Sequence, residues 1–307
     1  MQQTLCTDLC IQRFQAKTPL RAPSLIISVW GDSIVAHGGE VWLGSLIRLL
    51  EPFGINERLM RTSIFRLAQD GWLVSHKVGR NSFYRLSPEG EHRFSSAFDR
   101  VYRQSHPQWQ GVWTLLLITA LTIEEKKLIS DELSLSGFGV LSNSLLASAH
   151  TDRDEIKSIL RENGLADRVV LFESHVLNES EQALRELIWQ GWGLKSLNDA
   201  YIDFFDFYQS LKTPGMYAQL QDPKTAFITR TLMIHEYRKL ALRDPSFPDQ
   251  ILGSRWLGIE AKSLCSALYR QLAPASHQWI ISQLEGRQGK LPTASEEFLK
   301  RFGGLAI

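Results

Sequence analysis

The most restrictive stretch of the chain is residues 56–86, where the spacing of apolar residues changes abruptly from a helical to an extended period. Turned at about 100° per residue, Met60, Ile64, Leu67 and Ala68 fall on one side of a helix, opposite Arg58, Thr62, Phe65 and Gln69. Asn56 suits an N-cap, and Glu57 places an acid in the first turn. Residues 73–86 then alternate around Gly79 as two short strands joined by a turn. A helix running into a hairpin presents an apolar side that other elements must cover.

Two helices precede it. Residues 24–36 carry Leu25, Ile26, Val29 and Val35 partly on one face behind Ser24 as an N-cap, and Gly38 and Gly39 end them. Residues 41–50 bear Leu43, Leu46, Ile47 and Leu50 as a stripe, broken by Pro52 and Gly54. After the hairpin, Ser87-Pro88-Glu89-Gly90 opens a helix over residues 91–103 with Phe94, Phe98 and Val101 in line. Three helices followed by a hairpin predict a winged helix-turn-helix over residues 19–106, with Trp72 as an anchor between helix and hairpin.

The chemistry of the outer face points to duplex DNA. Arg58, Arg61, Thr62, Phe65, Arg66 and Gln69 put guanidinium, hydroxyl and amide groups on one helix face, suited to base edges and phosphates in a major groove. Lys77, Arg80, Asn81, Ser82 and Tyr84 supply polar and cationic groups at the hairpin, where a backbone or minor groove approaches closely. A basic helix face is commonly only a solvated surface; cations on both the third helix and the hairpin form a joint pattern. Total charge does not carry the reading, since the chain is +1 overall. Residues 19–105 hold 11 Lys plus Arg against 8 Asp plus Glu, and the remainder 23 against 25.

With 44% hydrophobic and 22% charged residues, the chain has the composition of a folded globular protein, and its length asks for two or three domains. The longest apolar run, residues 113–121, is about half of what a membrane span needs. No secretory signal is readable, so a cytoplasmic protein without membrane contact is expected. Residues 1–18 read as a flexible tail in which Cys6 and Cys10 are free thiols, and Cys265 as a small buried hydrophobe.

Residues 107–179 alternate strand and helix: a strand at 113–119, a helix from Glu124, a strand-like 139–149, a helix at 152–162 and a strand at 168–173. This β-α-β-α-β order fits a small ferredoxin-like α/β domain. Residues 180–307 read as a helical domain interrupted by prolines, dense enough in aromatics to form a pocket for an apolar ligand. The fold class expected is therefore α+β multidomain. Within the helical part, Arg230, His235, Arg238 and Arg255 are candidates to hold an anionic ligand, as is Arg243, and Trp192, Tyr201 and Trp256 to stack a ring. His235-Glu236-Tyr237-Arg238-Lys239 falls short of H-E-x-x-H because Lys239 replaces the second imidazole. Gly137-Phe138-Gly139-Val140 lacks a third glycine, and no Walker loop or nucleophile elbow is present. No catalytic residue, metal or cofactor is expected.

Arg61-Thr-Ser-Ile-Phe-Arg-Leu-Ala-Gln-Asp-Gly-Trp-Leu73 and Val78-Gly-Arg-Asn-Ser-Phe-Tyr-Arg-Leu-Ser87 resemble PaaX, the phenylacetic acid degradation repressor family. So do Trp30-Gly-Asp-Ser33, Gly38-Gly-Glu-Val-Trp-Leu-Gly-Ser-Leu46, Trp113-Thr-Leu-Leu-Leu117, His235-Glu-Tyr-Arg-Lys239, Arg243-Asp-Pro-Ser-Phe-Pro248, Trp256-Leu-Gly258 and Arg301-Phe-Gly-Gly-Leu305. The resemblance covers nearly everything beyond Pro19. It implies a homodimeric repressor of aromatic catabolic genes, bound to an inverted repeat in double-stranded operator DNA and released by an acyl-CoA effector, phenylacetyl-CoA. It also implies a Cas2-like middle domain, although the strand at 113–119 carries no aspartate for a nuclease metal. The rival classes are an RNA-, protein- or acyl-CoA-binding module without sequence-specific DNA binding, and an enzyme that processes acyl-CoA.

Overall fold

The computed structural model describes residues 5–16, 22–102, 111–149, 153–176 and 180–306. Helix α1 (Cys6–Ala16) leads to α2 (Ala22–Val29), which continues as a π-helical turn, Trp30–Ile34, and a 3-10 turn, Val35–His37. Gly38, at φ +86°, takes the left-handed conformation that ends it, a geometry costly for any residue with a Cβ. Strand β1 (Val41–Trp42) and α3 (Leu43–Leu50) follow, where the sequence predicted one helix over 41–50. Trp42 is extended, at ψ 130°, so the helix begins only at Leu43.

Helix α4 (Glu57–Gln69) starts where Asn56 accepts a hydrogen bond from the Leu59 amide at 2.9 Å. It stops at Gly71, φ +75°, where the Trp72 amide donates back to the Leu67 carbonyl. The hairpin of β2 (Leu73–Val78) and β3 (Asn81–Leu86) pairs Val78 with Asn81 around the Gly79-Arg80 turn, and β1 joins the outer side of β3 to give the order β1-β3-β2. Helix α5 (Pro88–Tyr102) is tied to the hairpin's base by Ser87, whose hydroxyl donates to the Gly71 carbonyl and accepts from the Gly90 amide.

Strand β4 (Val112–Ile118), α6 (Ile123–Leu135), β5 (Gly139–Ser142), β6 (Leu145–Ser148), α7 (Arg153–Glu162) and β7 (Val169–His175) form an antiparallel sheet in the order β5-β6-β4-β7. The stretch 139–149, expected as one strand, is a hairpin turning at Asn143-Ser144. Leu116, Ile118 and Leu146 face Ile129, Leu133, Ile156 and Leu160 across a closed apolar layer. The remaining elements are α8 (Glu181–Gly191), α9 (Leu194–Ser210), α10 (Pro214–Gln219), α11 (Pro223–Ala241), α12 (Asp249–Leu252), α13 (Gly258–Gln283), the short pair β8 (Glu285–Gly286) and β9 (Gly289–Lys290), and α14 (Glu296–Leu299). The chain is thus a mixed α and β protein.

The described residues group into two compact units. One draws on Met1–Gln104, Phe204–Lys239 and Lys262–Ile307; the other draws on Ser105–Asp203 and Leu240–Ala261. Two expectations are corrected here. Residues 6–16 are not a flexible tail but a helix, with Cys6 and Cys10 0% and 1% exposed. The Cys6 amide donates to Gln219, and Arg13 forms a two-point hydrogen-bonded pair with Glu236 while lying 4.5 Å over the Phe207 ring. Residues 180–307 are likewise not one helical domain. Long-range polar contacts draw much of α11, α13 and the C-terminal 3-10 turn, Arg301–Gly303, into the unit that holds α2–α5.

Candidate nucleic-acid interface

Amphipathicity sets which way α4 faces. Met60, Ser63, Ile64 and Leu67 are buried, while Arg58, Arg61, Thr62, Phe65, Arg66 and Gln69 are all exposed. Ala68, expected with the apolar side, is exposed and Ser63 takes that place. Phe65 is 62% exposed, which water disfavours on a helix that already has a core-facing side. Arg61 meets Glu57 one turn earlier at 2.7 Å, but both side chains are about 60% exposed, and such a pair contributes at most about 1 kcal/mol. Arg58 and Arg66 make no ion pair among the described residues.

The hairpin carries Lys77, Arg80 and Asn81 exposed at its end, with Ser82 and Tyr84 half-buried behind them. Its stalk is rigid: Phe83 is buried and stacks on His76 at 5.7 Å between ring centres, and His76 accepts support from Arg287 at 2.7 Å. Trp72 is half-buried under the Arg93 guanidinium, 5.3 Å from its ring, and its backbone ties α4 to the start of α5.

The eight residues proposed for a ligand are divided between the units, Arg243 falling with Trp192, Tyr201, Arg255 and Trp256. Within the unit that contains the four-stranded sheet, Trp192 lies on Gly139, against Trp113 and Phe247, and donates its indole N–H to the Gly137 carbonyl. Trp256 is 3% exposed, edge-on to Trp189 and Tyr201; Tyr201 donates to Asp244, and Arg255 covers Trp189 at 3.8 Å. These rings have protein partners on their faces. In the other unit, His235 Nδ1 meets the Ser28 hydroxyl at 2.8 Å, Arg238 donates to Ser24, and Arg230 is fully buried on Asp32.

Asp32 is the centre that sequence reading missed. It sits in the π-helical turn, 1% exposed, and accepts from Tyr102, Tyr269, Arg230 and Arg301 at 2.8–3.3 Å. Arg301 also donates to the Asp32 and Gly31 carbonyls. Burial pushes the Tyr102 and Tyr269 hydroxyls well above their ordinary range, so both stay neutral donors. One carboxylate therefore faces two guanidinium groups, leaving a buried excess of one positive charge.

Three family models match the chain: PaaX-like protein over residues 21–90, the PaaX protein central Cas2-like domain over 106–188, and the PaaX-like protein C-terminal domain over 192–282. The chain belongs to the PaaX family. A curated relative, the transcriptional repressor PaaX of Escherichia coli (strain K12), is 37% identical over 303 residues, 98% of this chain and 96% of the relative. Its name is that of a repressor rather than an enzyme. A solved structure, an uncharacterized protein of Mycobacterium tuberculosis, superposes with a TM-score of 0.55 at 21% identity over 84% of this chain and 98% of that one. That likeness concerns the fold alone. No helix among the described residues of this PaaX-family chain is long and apolar enough to cross a membrane.

Proposed function

We propose that this chain is a DNA-binding transcriptional repressor of phenylacetate catabolism, not an enzyme, acting on double-stranded operator DNA. The observation that carries the reading is the exposed row Arg58, Arg61, Thr62, Phe65, Arg66 and Gln69 on α4, beside the cationic turn of β2 and β3. The order α2, β1, α3, α4, hairpin, with β1 paired to β3, is that of a winged helix-turn-helix, and α4 is its recognition helix. The β-α-β-β-α-β run with order β5-β6-β4-β7 is read as ferredoxin-like. The identity to a named repressor along almost the whole chain supports the same role.

In this reading two copies place their α4 helices in successive major grooves, about 34–36 Å apart, on an inverted repeat. An acyl-CoA, phenylacetyl-CoA first among them, binds better to a conformation in which the two helices no longer match that spacing, and so releases the operator. Fluorescence anisotropy on an inverted-repeat operator against a random duplex of equal length tests it. The operator should bind at least a hundredfold tighter, and phenylacetyl-CoA should reverse binding without loss of the thioester. Equal affinity for both duplexes contradicts the reading.

A further inference from the structure

Beside α5, in the same compact unit as α4, lies a cavity of about 800 Å3, within the roughly 300–1,000 Å3 range of small-molecule sites. Its walls come from two parts of the chain far apart in sequence. One is the end of β3 with α5, contributing Leu86, Phe94, Phe98 and Tyr102; the other is the C-terminal segment with Phe298 and Arg301. Phe94 is seated on Gly31, where a Cβ would collide with its ring, so the aromatic stripe of α5 is fixed against the π-helical turn. The interior is aromatic, and the charged groups that line it besides Arg301 are Arg85, Glu91, Asp99, Glu297 and Lys300.

Two features say what such a space would take. The Arg301 side chain lines the cavity, is 2% exposed, and has a buried Nε with no hydrogen-bond partner. Its guanidinium lies 4.2 Å from the Tyr102 ring centre and 4.7 Å from that of Phe298, among rings that offer no anion. The second is the charge excess: Asp32 neutralises only one of Arg230 and Arg301, both of which remain protonated. A buried charge without a full counter-charge is strongly disfavoured, and an acceptor oxygen entering here relieves it. A recess of about 30 Å3, also lined by Phe94, Phe98 and Tyr102, holds Arg238, whose buried Nε is unpartnered as well.

We infer that this cavity binds an arylacyl group, its ring among Phe94, Phe98 and Phe298 and its carbonyl or carboxylate oxygen on Arg301. The inference rests on the effector-controlled repressor reading and gives it a location. A ligand here touches the end of β3 and α5 directly, and so reaches the elements that orient α4 without passing through the four-stranded sheet. A free arylacetic acid and its coenzyme A thioester share this chemistry, and the probes named below distinguish them.

The test uses the full chain and three probes: phenylacetyl-CoA, phenylacetate and acetyl-CoA. Ser95 lines the cavity from α5 and is exposed, so Ser95→Trp should fill the space. The expected result by calorimetry is at least a tenfold loss of phenylacetyl-CoA affinity. Because the native cysteines described are all buried, Ser95→Cys adds the one readily labelled thiol. Saturating phenylacetyl-CoA should slow its modification at least fivefold, phenylacetate less, and acetyl-CoA not at all. Unchanged phenylacetyl-CoA affinity in Ser95→Trp, or no protection of Ser95→Cys, overturns the location while operator release by the parent still stands. Equal binding of acetyl-CoA overturns the aryl assignment. A parent that binds its operator but no probe overturns both the location and the effector reading.

Discussion

Replacing Asp32 by Asn tests the buried charge centre with little change in shape. The carboxylate takes five side-chain hydrogen bonds, two from Arg230 and one each from Arg301, Tyr102 and Tyr269. Asn keeps one acceptor oxygen, turns an NH2 toward the guanidinium donors and removes the one carboxylate paired with them among the described residues. Breaking a buried pair by removing one partner costs about 3–5 kcal/mol, because the surviving charge stays buried. Here two cations survive, so the loss should lie at the upper end of that range. Against a total stability of about 5–15 kcal/mol this is large. In a unit of this size it lowers the melting temperature by roughly 2–4 °C per kcal/mol, or about 10–20 °C for a loss near 5 kcal/mol. The assay is thermal and urea unfolding followed by tryptophan fluorescence, with Glu57→Gln as the comparison. That change removes an exposed pair and should cost under about 1 kcal/mol. An Asp32→Asn loss as small as the Glu57→Gln loss would refute the claim that this charge holds α2, α5, α11, α13 and the C-terminal turn together.

Other outcomes follow from the same structure. Burial is the main force holding the His37 and His277 imidazoles below their ordinary pKa; the neighbouring arginines add to it, and so does His37 upon His277. The unfolded chain therefore takes up protons first, and stability present above about pH 6.5 falls as the pH drops through and below that value. His277→Gln should lose less melting temperature between pH 7.5 and 5.5 than the parent, and equal losses would contradict the assignment. Cys6, Cys10 and Cys265 are buried, so Ellman's reagent should find almost no fast thiol in the native protein and three after unfolding; rapid reaction of two would restore a mobile N-terminus. Lys77→Ala and Arg80→Ala should each flatten the dependence of log K on log salt by about one unit, with little change in stability. An unaltered slope would remove the hairpin from the DNA contacts.

The elements that could be read from sequence are those whose pattern is local. The period of α4, its Asn56 cap and the alternation around Gly79 are complete within thirty residues, and the structure reproduces all three. The turn at Asn143-Ser144 was missed because apolar residues on both sides made one continuous run. In α1, Cys6, Cys10 and Phe14 recur every fourth residue, the signature of a buried helix stripe, but cysteines in a short terminal segment were read by their chemistry instead. The packing partners of the ligand candidates were illegible for a different reason. Arg230 and Asp32 are 198 positions apart, and no local pattern tells a solvated arginine from one buried on a distant carboxylate. Trp30-Gly-Asp-Ser33 and Arg301-Phe-Gly-Gly-Leu305 were visible as family-like segments, yet nothing in either announced that they meet.

The most direct measurement is operator affinity of the Arg61→Ala/Arg66→Ala variant, with circular dichroism and melting temperature recorded on the same sample. Both side chains are exposed on α4, so the fold should be unchanged within about 0.5 kcal/mol. Operator binding should weaken by roughly 2–6 kcal/mol if each arginine reads a base, and discrimination between operator and random duplex should fall with it. Parental affinity and parental discrimination in a correctly folded double variant would contradict the account that α4 is the surface that reads DNA.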